Sequence, residues 1–249
     1  RFIAVAGSPA EAVGIVAERR DEAAVGSMEF SLSSAKGDPI SSGRVGIKLG
    51  DEKLIYAYPD EEGSISIRWP AGEQELIFED IGRDSISETV TVEAGSVVSL
   101  KKELSDQSLV KFSITDSEGG DTPCKIQFHA RKGTASVNLG PTDRAHGCVD
   151  QWHSETGDFS VPLPPGEYRI VVSRGPEFDS LTQDIALPPG ETIEVSGKLI
   201  RSVQTPGWVS TDFHNHSTPS GDNTCGTKDR LINLAAEQIE FAPTTEHNR

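Results

Sequence analysis

The chain repeats itself, and that repeat limits its fold more than any other feature. Met28-Glu-Phe30-Ser-Leu32 is followed by Gly37-Asp38-Pro39, and Val110-Lys-Phe112-Ser-Ile114 by Gly120-Asp121-Thr122-Pro123. Gly63, Gly72 and Gly95 then answer to Gly157, Gly166 and Gly190, at intervals of nine and 23 residues against nine and 24. Apolar residues alternate within each copy, as in Ser64-Ile65-Ser66-Ile67 and Tyr168-Arg-Ile170-Val-Val172. That is the period of half-buried strands. Glycine and proline fall between these runs, where turns need a positive or a fixed φ. Each copy, residues 28–105 and 106–203, is therefore predicted to be a small β-sandwich of about seven short strands. The second copy is longer, and its excess holds Gly133-Thr-Ala, Gly140-Pro141 and Ala145-His-Gly147, predicted to be a surface loop.

These modules resemble the carboxypeptidase regulatory-like, or prealbumin-like, sandwich domains. The residues that carry the resemblance are Gly37-Asp38-Pro39, the Gly63 turn, Pro164-Pro-Gly-Glu-Tyr168 and the Pro-Gly turn before the last strand. Residues 1–27 fit neither copy. Ser8-Pro9-Ala10-Glu11 has a cap, a proline at the first helical position and a glutamate three residues on, so a short helix over Pro9 to Arg20 is predicted, read as the remnant of an upstream domain.

Composition narrows the partners. Lys plus Arg is 23 against 39 Asp plus Glu, a net charge of −16. A field of that sign repels phosphate backbones and anionic headgroups, which argues against nucleic acid. No window reaches the run of about 18 apolar residues needed to cross a membrane as a helix. Cys124, Cys148 and Cys225 match neither a disulfide framework nor a zinc spacing; a Cys124–Cys148 bridge is expected only in an exported protein, and Cys225 is read as a spectator. The chain opens at Arg1 and closes at Arg249, just after a candidate ligand, and is read as a piece of a longer protein.

After Gln204-Thr-Pro206-Gly207 the pattern changes. Trp208 to Phe213 can form a strand, followed by His214-Asn215-His216. Residues two apart in extended chain point the same way, about 6–7 Å from each other, which suits a shared metal ion. A polar loop then places Asp222 six residues beyond His216. From a Thr227 cap, Leu231, Ile232, Leu234, Ala235 and Ile239 give a helical apolar stripe, and Phe241 to Thr245 reads as a second strand that ends in Glu246-His247. Strand, crossover helix and strand make a parallel pair with both histidine clusters at its carboxyl edge. Imidazole and carboxylate ligands suit zinc, manganese or iron, and an open site would bring bound water toward a pKa of ~7.

At these residues the sequence resembles the polymerase and histidinol phosphatase (PHP) superfamily, in its carbaryl-esterase-like branch. The resemblance rests on Gly207-Trp208, Asp212-Phe213-His214-Asn215-His216, Ser220-Gly221-Asp222 and Thr245-Glu246-His247-Asn248, and covers only about residues 207–249. It implies the opening βαβ unit of a (β/α) barrel over residues 204–249. It also implies two or three divalent transition-metal ions, with His214 and His216 on one and Asp222 and His247 on its neighbour. Asp212 and Glu246 would stand behind these ligands rather than on the metal. The implied activity is hydrolysis of a small phosphate, carboxylate or carbamate ester by metal-activated water, with this piece inactive by itself.

Plainer readings fit the remaining histidines and tryptophans. His129, His146 and His153, with Asp143 and Asp150 near, are read as loop residues rather than a second metal site. Trp69 and Trp152 are read as packing residues before sugar platforms. The leading expectation is a mainly β chain of two tandem sandwiches leading into a PHP metallohydrolase, bacterial and extracellular or in the cell envelope. The alternative is a binding or adhesion module in which the sandwiches make carbohydrate or cell-surface contact and the metal site is degenerate.

Overall fold

Alternation in the sequence becomes alternation of burial in a computed structural model that describes residues 8–20, 23–49 and 53–247. The chain divides into two compact units, residues 1–107 and 108–249. No helix among the described residues is long and apolar enough to cross a membrane.

Among its described residues the first unit holds α1 (Pro9–Arg19) and seven strands: β1 (Val25–Ser34), β2 (Arg44–Leu49), β3 (Lys53–Ala57), β4 (Ser64–Pro70), β5 (Gly72–Glu79), β6 (Ile86–Val92) and β7 (Val97–Leu104). Its sheets run β4-β1-β7 and β3-β2-β5-β6, with β1 antiparallel to β4 and parallel to β7. The second unit has β8 (Leu109–Thr115), β9 (Cys124–Arg131), β10 (Gln151–Ser154), β11 (Asp158–Pro162), β12 (Gly166–Ser173), β13 (Leu181–Leu187) and β14 (Thr192–Lys198). Its sheets run β11-β8-β14 and β10-β9-β12-β13, which is the first order with every label advanced by seven. The two copies share one topology, down to the parallel pairing of first and last strands.

The shared glycines have a physical reason. Leu32 N–H donates to the Gly63 carbonyl at 2.9 Å, and Ile114 N–H donates to that of Gly157 at 2.8 Å. A Cβ on Gly63 would lie 2.5 Å from the Leu32 oxygen, and one on Gly157 only 1.7 Å from the Ile114 oxygen. Backbone therefore meets backbone where only glycine leaves room. Side chains fill the interiors: Phe30 meets Phe78 edge-on at 5.4 Å, and Phe112 meets Phe128 at 6.3 Å. Trp69 is fully buried with its indole N–H on Gln74 Oε1, as its reading as a packing residue requires. Buried Tyr168 donates its hydroxyl to the Pro164 carbonyl at 2.8 Å, and burial pushes its pKa up to about 12.

Helix α1 is capped by Ser8, whose hydroxyl accepts from the Glu11 N–H. It belongs to the first unit rather than to an upstream remnant. Ala10 is part of that unit's core, and a Cβ on Gly14 would lie 2.2 Å from the Arg68 carbonyl oxygen, so helix and β4 touch through backbone.

The last forty-odd residues depart furthest from expectation. The expected strand pair is reduced to two isolated parallel bridges, Thr211 with Phe241 and Asn215 with Thr244, on either side of α2 (Thr227–Ala236). Pro243 has no N–H to offer a ladder, and the Asn215 N–H goes to the Thr245 hydroxyl instead. The N-cap of α2 is Gly226, without a side-chain cap; Thr227 spends its hydroxyl on Ser217 at 3.1 Å. Ile232 and Ala236 are buried, while Leu231 of the expected stripe is 61% exposed. The segment leans on the second sandwich. Lys125 pairs with Glu237, Arg174 Nε donates to Gln238 Oε1 at 2.7 Å, and a Cβ on Gly175 would lie 2.2 Å from the Glu237 carbonyl oxygen.

Candidate metal centre

Two residues close in sequence and one distant from them meet at the end of this segment. His216 follows the first bridge region, Asp222 sits in the polar loop and His247 follows the second bridge region. Their ligand atoms all lie within 4.8 Å of one another, and among the described residues they are the one such group of three. Asp222 Oδ1 is 3.1 Å from His216 Nδ1, and its Oδ2 is 3.2 Å from His247 Nε2. The two imidazole rings meet edge to face at 4.7 Å. Asp222 is held down to about 2, chiefly by its hydrogen bond to His216. It is therefore an anion at neutral pH, as a cation ligand must be.

Ser220 organises the group, a role the sequence reading did not give it. Its hydroxyl lies 3.0 Å from His216 Nδ1 and accepts from the His247 backbone N–H at 2.9 Å, and the residue is 1% exposed. Arg230 on α2 fixes the other side by donating to the His216 carbonyl at 2.9 Å. The available signal was the position of Ser220 between two predicted ligands, but a serine alone is too common to stand out.

His214 stands apart from the three. Its ring is 5.0 Å from that of His216, tilted by 46°, and it is exposed on the wall of an open cleft of about 310 Å³. Asp212, Asn215, Asn223 and Arg230 share that cleft with His216 and Asp222. Asp212 accepts from the His214 N–H at 3.0 Å and so shapes the turn. Glu246 is engaged elsewhere: it accepts from the Ser217 hydroxyl at 2.6 Å and from the Ser217 N–H, bonds that hold its pKa below the usual range. Asn248, the last residue of the quoted motif, lies outside the described residues.

The other histidines do not gather. His146 stacks on Trp152 at 5.2 Å and meets Glu155 at 2.7 Å. His153 is buried on β10 with no partner for Nδ1. Burial lowers its pKa.

No protein-family model matches the chain, and no curated protein sequence matches it. Among solved structures it aligns with the shaft pilin SpaA from Lactobacillus rhamnosus GG at 13% identity and a TM-score of 0.37, over 73% of this chain and 100% of that one. A streptococcal ancillary pilin aligns at 13% identity and a TM-score of 0.34, over 71% of this chain and 62% of that one. The Bacillus anthracis TIE protein aligns at 14% identity and a TM-score of 0.32, over 76% of this chain and 36% of that one. The chain thus spans about a third of the TIE protein and under two thirds of the ancillary pilin.

The PHP expectation is corrected by the fold: the described residues hold two isolated bridges where the barrel should open with a ladder. The assignments as metallohydrolase, phosphoesterase and esterase fall with it. The mainly β architecture stands, with two short helices beside fourteen strands among the described residues.

Proposed function

We propose that the chain is a binding or adhesion module built on tandem β-sandwiches, working at or outside the bacterial cell surface. The observation that carries this reading is the repetition of one filled sandwich. Phe30, Trp69 and Phe78 in the first copy, and Phe112, Phe128 and Tyr168 in the second, are each at most 2% exposed. Packed interiors leave faces, edges and loops to meet a partner, and loops on a rigid frame are where binding residues concentrate. A net charge of −16 directs that contact away from nucleic acid and toward carbohydrate or protein surfaces.

In this reading His216, Asp222 and His247 are an open coordination site for a single divalent transition metal, with His214 as a nearby fourth donor. The donor set supports it, since two imidazoles and a carboxylate match zinc, and three donors serve one ion rather than two or three. The ion would pin the loop that carries Asp222 to the end of the described chain, which is a structural task.

The test has two arms on the purified chain. Binding to bacterial and host cells, and to immobilised glycans and matrix proteins, should be saturable. Titration with zinc should reach one ion per chain in calorimetry, and His216→Ala with His247→Ala should abolish it. Absence of binding on every surface would overturn the adhesion reading. So would metal-dependent turnover of an ester panel that His216→Ala removes.

A further inference from the structure

We propose that His153 makes the seat of α2 acid-sensitive: as pH falls below neutral, the segment bearing α2 lifts off the second sandwich while the sandwich itself stays folded. The imidazole sits where a polar residue is normally wet. On β10, Trp152 and Ser154 share a face with Ile126 and Cys124, their partners on β9, and those two are fully buried in the sandwich interior. His153 pairs with Lys125, so both point away from that interior. His153 is nevertheless buried, because α2 packs over β9 and β10.

The contact that covers it is largely polar. Asp229, Asn233 and Glu237 recur every four residues, which sets them in one row along α2 and its cap. Asp229 Oδ1 accepts from the Ala145 N–H at 2.8 Å, the Ala145 carbonyl accepts from the His153 N–H at 2.9 Å, and Glu237 pairs with Lys125. Asn233 stands between those two anchors. Its Oδ1 and the Nδ1 of His153 are both buried, and among the described residues neither has a hydrogen-bond partner. From the helix, only Ile232 and Ala236 are fully withdrawn from solvent.

The charged groups around the ring are spent elsewhere. Lys125 from β9 and His146 from the loop before β10 act against an imidazolium and Glu237 favours it, but Glu237 is engaged by Lys125. Asp229 serves Ala145, Arg174 beyond β12 serves Gln238, Arg230 serves the His216 carbonyl, and Glu155 holds His146. Burial with these neighbours keeps the ring below its ordinary 6.5 while α2 is seated, and release returns it to water. A base depressed in the seated state supports the seat fully above 6.5 and withdraws that support as pH falls through the seated value. Between the two values the seating constant falls about tenfold per pH unit, since one proton is bound on release. Release uncovers Ile232, Ala236 and the outer face of β9 and β10, with Lys125 and the charged imidazole on it.

The experiment follows the intact chain from about pH 7.5 to about pH 5 with a metal chelator present, by hydrogen exchange corrected for the intrinsic rate and by proton NMR of the histidine rings. Amides of α2 and of Ala145 should lose protection by about tenfold per pH unit once pH falls below 6.5, while β8 and β12 keep theirs. The His153 ring should titrate at the midpoint of that loss. His153→Gln and His153→Phe remove the titrating group, and each should hold α2 protection level across the range. Acid loss of α2 protection in both variants, as in the unmutated chain, would overturn the proposal, because the sensitivity would then lie in His216, His247 or the carboxylates. It is overturned too if the unmutated chain keeps α2 protected at about pH 5, if β8 and β12 open together with α2, or if the His153 ring titrates without any change in α2. That last measurement uses the unmutated chain, so it holds whether or not either variant folds.

Discussion

The two sandwiches share one strand order, yet they differ between their second and third strands. In the first copy β2 ends at Leu49 and β3 begins at Lys53, whereas in the second β9 ends at Arg131 and β10 begins only at Gln151. That extra loop carries Ala145, Cys148 and Asp150, and α2 rests against it. The frame is set by core alternation and glycine contacts that both copies keep. What one copy adds is a loop, and the loop supplies a seat for a further segment. Insertions at a surface loop cost little in closure entropy, which is why one frame tolerates both lengths.

The sharpest way to break this comparison is to burden the shared glycines. Gly157→Ala should destabilise the second unit by about 3 kcal/mol, and Gly63→Ala the first unit by about the same or somewhat less, since a new Cβ meets backbone oxygen in both. Urea unfolding of each variant measures this. If either alanine is tolerated to within about 0.5 kcal/mol, the two turns are not equivalent close approaches.

A smaller effect should separate the units by pH. His153 has no counterpart in the first unit; burial depresses its pKa below the ordinary 6.5, with Lys125 and His146 acting in the same sense and Glu237 opposing. A base with a depressed folded pKa stabilises fully above its unfolded value and loses that contribution as pH falls through the folded one. Melting of the second unit should therefore drop more steeply than that of the first once pH falls below 6.5, and His153→Phe should flatten the difference. Parallel pH profiles for the two units would show that the buried imidazole is already paired.

The smallest effect concerns the seat itself. Asp229→Ala removes the carboxylate that accepts from Ala145 N–H and should cost about 1 kcal/mol of local stability. Hydrogen exchange should speed up across α2 and leave β8 and β12 unchanged. Equal acceleration in those strands would mean that the segment is part of the sandwich core rather than docked on it.

Both sandwiches were legible because a strand with one buried face writes its period into the sequence, and because a backbone contact that excludes Cβ leaves a glycine at a recurring position. Gly63 and Gly157 are such marks. His216, Asp222 and His247 were legible as a donor set, and the fold brings their ligand atoms within 4.8 Å of one another. The family drawn from them did not survive. The fourteen residues that carried the resemblance record local text, and a barrel needs ladders that Pro243 and the side-chain bonds of Asn215 do not supply here.

By itself the sequence determined what depends on local period and on steric permission: the strands, their duplication, the cap of α1 at Ser8 and the extra loop. Tertiary structure alone decided what depends on which surfaces meet. It seated α1 on β4 through Gly14, put Ser220 between two histidines and left His214 to one side. The reason is physical: a pattern along the chain states which face a residue turns inward, while the partner it meets there comes from chain that is distant in sequence, through contacts that no local period encodes.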